Sequence, residues 1–305
     1  MAFAAPSTLV LGGGGILGEA WMSALLVGLT DATGFDPREC EGYVGTSAGS
    51  IVAAALVAGA DPRERLGKLP EPPAVTGEAS ATGALRRALE TGIAVGGAAA
   101  GPLAALGLRS TEVGGALVRR AALARVPEGR RSLARLGAEL DRGGAEWDGR
   151  LAISAVDADT GRRTMFGEPG APEASVGTAV QASCAIPGVF RPIEVGGRRY
   201  VDGGVWSPTS LDRARAGRGD RVLCLNPTGS LRALPAGGLG LRSRSVAAVE
   251  ALALERRGAR VDVVAPDARS VAAMGANLMD PRPRGRVIEA GLAQGHALGR
   301  ARRAA

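Results

Sequence analysis

Gly42-Tyr43-Val44-Gly45-Thr46-Ser47-Ala48-Gly49-Ser50 is the stretch around which the chain is organised. Tyr43-Val44 is a short β-branched and aromatic piece, and the run Ile51-Val52-Ala53-Ala54-Ala55-Leu56-Val57-Ala58 behind it has high helix propensity. Ser47 is therefore expected where a strand turns sharply into a helix. Gly45-Thr46-Ser47-Ala48-Gly49 fits G-x-S-x-G, the pattern of a nucleophile elbow. In that turn the serine backbone is strained, its hydroxyl is exposed, and the flanking glycines let the backbone pass close to itself. The N–H of Ala48 would face the oxygen of a bound acyl group, helped by the positive end of the following helix. Alone the pentapeptide is a weak signal in a chain this rich in Gly, Ser and Ala, and a small-residue turn reads the same way.

One strand earlier, Ser7-Thr8-Leu9-Val10-Leu11 reads as a buried strand running into Gly12-Gly13-Gly14-Gly15-Ile16-Leu17-Gly18, with helical spacing over 19–30. Such a loop presents several backbone N–H groups towards one point, where they could hold a phosphate or an oxyanion. Gly13-x-Gly15-x-x-Gly18 also fits the dinucleotide fingerprint, with Asp31 and Asp36 about the right distance on. That reading needs an acidic residue at the end of a second strand. The 30–37 stretch reads as a loop, and the second strand comes later and ends in the serine. The arrangement favours a glycine loop after one strand and a serine after the next, with a nucleotide-binding module as the alternative.

A length of 305 residues and 46% hydrophobic content make the chain globular, and with 3% aromatics the core must be built from Ala, Val and Leu. The net charge of +7 would prompt a nucleic-acid hypothesis. It is discounted, because the basic residues are scattered arginines, with Lys68 the lone lysine, and no aromatics interleave them to stack bases. Cys40, Cys184 and Cys224 are distant from one another and odd in number, which indicates buried thiols in a reducing compartment. With one histidine, His296, neither a metal site nor a cofactor is expected. The N-terminus lacks a basic n-region, so a cytoplasmic protein is expected, peripheral at a membrane at most.

From 62 to 150 the character changes to a loop and amphipathic helices at 81–90, 110–124 and 130–141, read as a helical insertion in a single domain spanning 1–305. The uncharged stretch 91–108 is long enough to weigh as a membrane span, but it is Gly- and Ala-rich and contains Pro102. It is read instead as a lid, an acyl-facing surface or an ordinary buried helix pair. Strands return at 151–156 and 164–166 around Asp157-Ala158-Asp159-Thr160-Gly161, a hairpin turn in preference to a metal site. A helix at 175–183 leads to an irregular apolar segment ending at Pro192. The short strand Arg198-Arg199-Tyr200-Val201 is closed by Asp202-Gly203-Gly204. Buried strands at 221–225 and 260–264 flank a helix at 245–257, a βαβ unit with a parallel crossover. The last helix covers 286–303.

A serine nucleophile needs a base. His296 sits at an exposed-looking helical position, so a carboxylate must accept the proton. Asp202 is the best candidate: it ends a strand, two glycines follow it, and partial desolvation would raise its pKa and make it a better base.

Taken in order, the glycine loop, the serine elbow, the Ala185-Ile186-Pro187…Phe190-Arg191-Pro192 segment and Asp202-Gly203-Gly204 resemble the patatin-like phospholipases, a family of serine–aspartate lipid acyl hydrolases. The resemblance implies Ser47 as nucleophile, Asp202 as its base, and Gly13, Gly14 and Gly15 as the oxyanion-hole loop, joined by Ala48. It implies a three-layer α/β/α sandwich with a mainly parallel sheet, and a dyad without histidine. The implied substrate is a fatty-acyl ester of a phospholipid, lysophospholipid or acylglycerol. The arginines and the apolar insertion allow transient contact with an anionic bilayer. One departure stands out: Leu17 holds the place before Gly18 where the family usually carries Arg or Lys, which removes an electrostatic aid to the oxyanion. A patatin-like scaffold that binds lipid without catalysis is the remaining alternative.

Overall fold

A computed structural model of the chain describes residues 4–67, 112–230 and 238–304. The expected helix at 81–90, the 91–108 stretch and the first two residues of the expected 110–124 helix lie outside these residues.

The β-branched and apolar runs form one sheet. β1 (Thr8–Leu11) lies between β2 (Gly42–Thr46) and β7 (Arg221–Leu225), parallel to both. β2 is parallel to β3 (Leu151–Asp157), and β7 to β8 (Arg260–Val264). β4 (Arg163–Phe166) and β6 (Arg198–Asp202) run antiparallel to β3, and β5 (Ile193–Val195) runs antiparallel to β6. The helices among the described residues are α1 (Gly15–Thr33), α2 (Ala48–Val57), α3 (Pro62–Gly67), α4 (Glu112–Leu123), α5 (Ala134–Arg142), α6 (Val176–Cys184), α7 (Gly238–Glu255), α8 (Ala268–Met274) and α9 (Arg284–Ala304).

Alternation along β1 divides the core. Leu9 and Leu11 join Trp21, Leu25, Val52 and Ala179 on one face, while Val10 joins Val44, Cys224, Ala251 and Leu254 on the other. Helices α1, α2 and α6 therefore cover one face and α7 the other. The handedness of crossovers explains this. The β1–α1–β2 unit steps one way along the sheet and β7–α7–β8 steps the opposite way from the adjacent strand, so right-handed connections must use opposite faces. The two units diverge between β1 and β7, and in open α/β sheets the crevice outside the carboxyl ends at such a point is where ligands bind.

Several expectations needed adjustment. α1 runs on to Thr33, so Asp31 is helical, and only 34–36 of the expected loop is loop. β8 is not fully buried: it is the edge strand of the described sheet, and Val263 is exposed. β5 was not anticipated. Gly196 and Gly197, both at positive φ, close it onto β6 as a two-residue hairpin. Asp157 Oδ1 accepts the N–H groups of Asp159 and Thr160 at 2.9 Å each, so it is engaged in building the hairpin turn. No helix among the described residues is long and apolar enough to cross a membrane.

Candidate active site

Register brings the distant motifs together. Ile153 of β3 pairs with Gly45 of β2 on one side and Phe166 of β4 on the other, while Ala155 pairs with Asp202 of β6 and Thr164 of β4. A strand residue has only two edges, so β2 and β6 share the edge opposite β4. β2 leaves β3 at Thr46↔Ser154, and β6 meets it at Ala155↔Asp202. The two strands approach from opposite directions, and their carboxyl ends, Ser47 and Asp202, abut.

Ser47 adopts φ 51° and ψ −122°, a conformation that costs a non-glycine residue on the order of 1–3 kcal/mol. The neighbouring glycines are required by space. A Cβ on Gly49 would lie 1.8 Å from the Leu11 carbonyl oxygen, and one on Gly45 would lie 2.5 Å from Ser50 Cα. The turn is held by hydroxyls. The Ser47 N–H donates to Ser183 Oγ at 2.8 Å, Ser183 Oγ donates to the Ser154 carbonyl at 2.6 Å, and Ser50 Oγ donates to the Ser47 carbonyl at 2.6 Å.

The Ser47 side chain lies beside the Asp202 carboxylate and favours its charged form. Burial of Asp202 pushes its pKa up to about 6; the adjacent Ser47 side chain and the hydrogen bond from the Gly204 N–H, at 2.7 Å, pull in the other direction. Near neutral pH the group is thus mostly ionised, yet a far better proton acceptor than an ordinary aspartate. The Cys184 thiol also lies near Ser47, and its Sγ is 3.8 Å from Ser50 Oγ. Burial and the nearby Asp202 charge push the thiol pKa up, so it stays a neutral neighbour. Cys184 was read from sequence only as a buried thiol; its proximity to the serine is a tertiary fact. The Asp-Gly-Gly turn runs on to Trp206, whose ring lies under the guanidinium groups of Arg119 and Arg163, 3.7 and 5.2 Å from its centroid.

The glycine loop passes within van der Waals reach of the serine: a Cβ on Gly13 would sit 3.4 Å from Ser47 Cβ. The four expected donors are not equivalent. The Gly13 N–H donates to the Pro208 carbonyl at 2.8 Å, so it is engaged and is removed from the set of oxyanion donors. The amides of Gly14, Gly15 and Ala48 have no partner among the described residues. These lie at the starts of α1 and α2, where amides are left over by helix geometry. Leu17 is fully buried in the core and brings no charge to the loop.

The nucleotide fingerprint is not supported. Asp31 lies in the last turn of α1, paired with Arg63 and 3.4 Å from His296 Nε2, and Asp36 caps the short helical turn Pro37–Glu39. Neither ends a strand beside the glycine loop. His296, half-exposed on α9 and facing Asp31, is placed away from Ser47.

This arrangement, a glycine loop and a strained serine at the carboxyl ends of adjacent parallel strands with a buried aspartate against the serine, defines a hydrolase-like α/β site. The family model for patatin-like phospholipase matches residues 9–73 and 149–215, the segments that carry all three motifs. Over them the chain is similar to the patatin-like phospholipase family. Among solved structures, VipD from Legionella pneumophila is similar at 15% identity, with 98% of this chain and 67% of that one covered and a TM-score of 0.43. The type III effector protein ExoU is similar at 17% identity, with 99% of this chain and 54% of that one covered and a TM-score of 0.38. The chain thus spans about half the length of ExoU.

Proposed function

We propose that the protein is a serine acyl hydrolase that cleaves fatty-acyl esters of lipids through Ser47 and Asp202. The observation that carries this reading is the strained Ser47 placed beside a buried carboxylate whose pKa is pushed up to about 6. Ser47 Oγ attacks the ester carbonyl carbon while its proton passes to Asp202. The negative charge that develops on the carbonyl oxygen is taken by the amides of Gly14, Gly15 and Ala48. The C–O bond to the leaving alcohol then breaks, and the proton on Asp202 goes to that alcohol, leaving an acyl-Ser47 ester. Asp202 next deprotonates a water that attacks the acyl carbon, and the fatty acid leaves as Ser47 regains its proton. Because position 17 is apolar, the oxyanion is held by backbone dipoles without help from a cation there. The substrate class follows from the family, and contact with a lipid surface need be only transient.

Labelling by a fluorophosphonate probe tests whether Ser47 is activated before any substrate is chosen. Labelling of the wild type and its loss in Ser47→Ala is the expected result, followed by an ester chain-length series. A folded wild type that stays unlabelled, with and without lipid vesicles, would overturn the proposal.

A further inference from the structure

Glu250 is 1% exposed, lies on α7 across the sheet from α1, and takes no part in the chemistry proposed above. A buried carboxylate is costly unless its oxygens are satisfied. Glu250 Oε2 accepts two hydrogen bonds from one turn, from Thr209 Oγ1 at 2.7 Å and from the Leu211 N–H at 3.0 Å. Between those donors Ser210 sits at φ 49° and ψ 35°, unusual for a residue with a side chain. The turn is held further by Ser207 Oγ, which accepts the Ser210 N–H at 2.9 Å, and by Ser210 Oγ, which donates to Ser154 Oγ at 3.0 Å.

The same turn supplies the Pro208 carbonyl that receives the Gly13 N–H. Ser154 is the residue whose own carbonyl anchors Ser183, and Ser183 in turn holds the Ser47 N–H. The turn at 207–211 therefore touches both halves of the site, the glycine loop through Pro208 and the serine elbow through Ser154. Seven residues before Glu250, on the same face of α7, Ser243 Oγ donates to Asn226 Oδ1 at 2.9 Å and lies 2.8 Å from Thr228 Oγ1. That second anchor fixes Pro227, which leaves no room for a Cβ on Gly14: the Pro227 Cβ would be 2.5 Å away. Two turns, both tied to α7, thus place a proline against the glycine loop.

We propose that Glu250 is a positioning residue for the glycine loop. By fixing the 207–211 turn it aims the Pro208 carbonyl at Gly13, commits that peptide, and leaves the Gly14 and Gly15 amides free for an oxyanion. The catalytic half of this inference rests on the acyl-hydrolase reading; the structural half does not.

The test compares the full-length wild type with Glu250→Leu, Glu250→Gln and Thr209→Val. Hydrolysis of 4-nitrophenyl butyrate is one readout, and amide hydrogen exchange of residues 12–17 is the other. Glu250→Leu is expected to lower kcat by roughly ten- to a hundred-fold with KM changed less than about two-fold, since a misaimed oxyanion donor weakens only the transition state. Exchange at 12–17 should quicken while the interiors of β7 and α1 stay protected. Glu250→Gln keeps an acceptor oxygen for Thr209 and Leu211 and should restore most of both. A folded Glu250→Leu with unchanged exchange at 12–17 would overturn the proposal, as would a Gln variant as impaired as the Leu one. If Glu250→Leu does not fold, Thr209→Val removes one of the two donors at nearly constant volume. It is then expected to quicken the same local exchange, and unchanged exchange there would count against the role of Glu250. A wild type that hydrolyses no ester would remove the acyl-hydrolase reading, and the exchange result would still decide the positioning role.

Discussion

The two strand-to-helix turns at the carboxyl ends of β1 and β2 lie side by side in register, Leu11 against Gly45, yet they are built on opposite plans. The serine elbow carries its distortion in its own backbone, at Ser47, and is braced by hydroxyls from Ser50 and Ser183. The glycine loop is shaped from outside. Leu225 accepts the Gly12 N–H, Pro208 accepts that of Gly13, Leu278 accepts that of Leu17, and Pro227 fills the space beside Gly14 and Gly18. One turn presents a side-chain oxygen and the other presents backbone amides. The first function needs one atom held under strain, and the second needs several dipoles left unused in a crowded place.

The comparison breaks most sharply at the atoms that are presented. Ser47→Ala should lower kcat/KM for any cleaved ester by several orders of magnitude, roughly 10⁴-fold, with fold and Tm retained. A residual rate within about ten-fold of wild type would move the nucleophile elsewhere.

Asp202→Asn should lower activity by a similar factor but raise stability. The sign follows from the raised pKa. Between about pH 4 and 6 the unfolded aspartate has lost its proton while the folded one keeps it, so native stability falls as pH rises through that window and levels off above it. At pH 8 the asparagine variant should be on the order of 1–3 kcal/mol more stable than the wild type, with the difference gone below about pH 4. Chemical denaturation at the two pH values measures it, and a variant less stable at pH 8 would contradict the desolvated carboxylate.

In the glycine loop, Gly14→Ala should cost roughly a hundred-fold in kcat together with about 1–3 kcal/mol of stability, because the added methyl meets Pro227 and Gly18 Cα at 2.5 and 2.9 Å. Equal activity in that variant would show that the loop adjusts freely, against the picture of a turn clamped from outside.

A gentler probe is pH itself. Wild-type kcat/KM should fall about ten-fold per unit below the Asp202 pKa of about 6 and be flat above it, and a midpoint near 4 would mean an exposed base. The smallest effect is expected for Ser183→Ala, which frees the Ser47 N–H and the Ser154 carbonyl; a loss of roughly three- to ten-fold in kcat, with little change in KM, is the outcome to check by steady-state kinetics.

What could be read without the structure was what neighbouring residues decide among themselves. β1, β2, β3, β7 and β8 are short apolar runs bounded by breakers, and the parallel β7–α7–β8 crossover follows from their spacing. The elbow was legible because G-x-S-x-G encodes a local steric need, met here at Leu11 and Ser50. Asp202 was reached by exclusion of the lone histidine together with the two glycines after it. The Gly196-Gly197 hairpin was equally local, and β5 was overlooked although its turn was in plain view.

Which amides remain free was not legible. Gly13 and Gly14 are identical in sequence, and only the Pro208 carbonyl, arriving from a turn far along the chain, separates them. The raised pKa of Asp202, the presence of Cys184 beside Ser47 and the exposure of β8 belong to the same class. Sequence by itself determined the residue types and the local turns, because sterics and periodicity act over a few residues. Tertiary structure alone decided burial, hydrogen-bond partners and strand edges, because these are set by segments that meet only when β2 and β6 come end to end against β3.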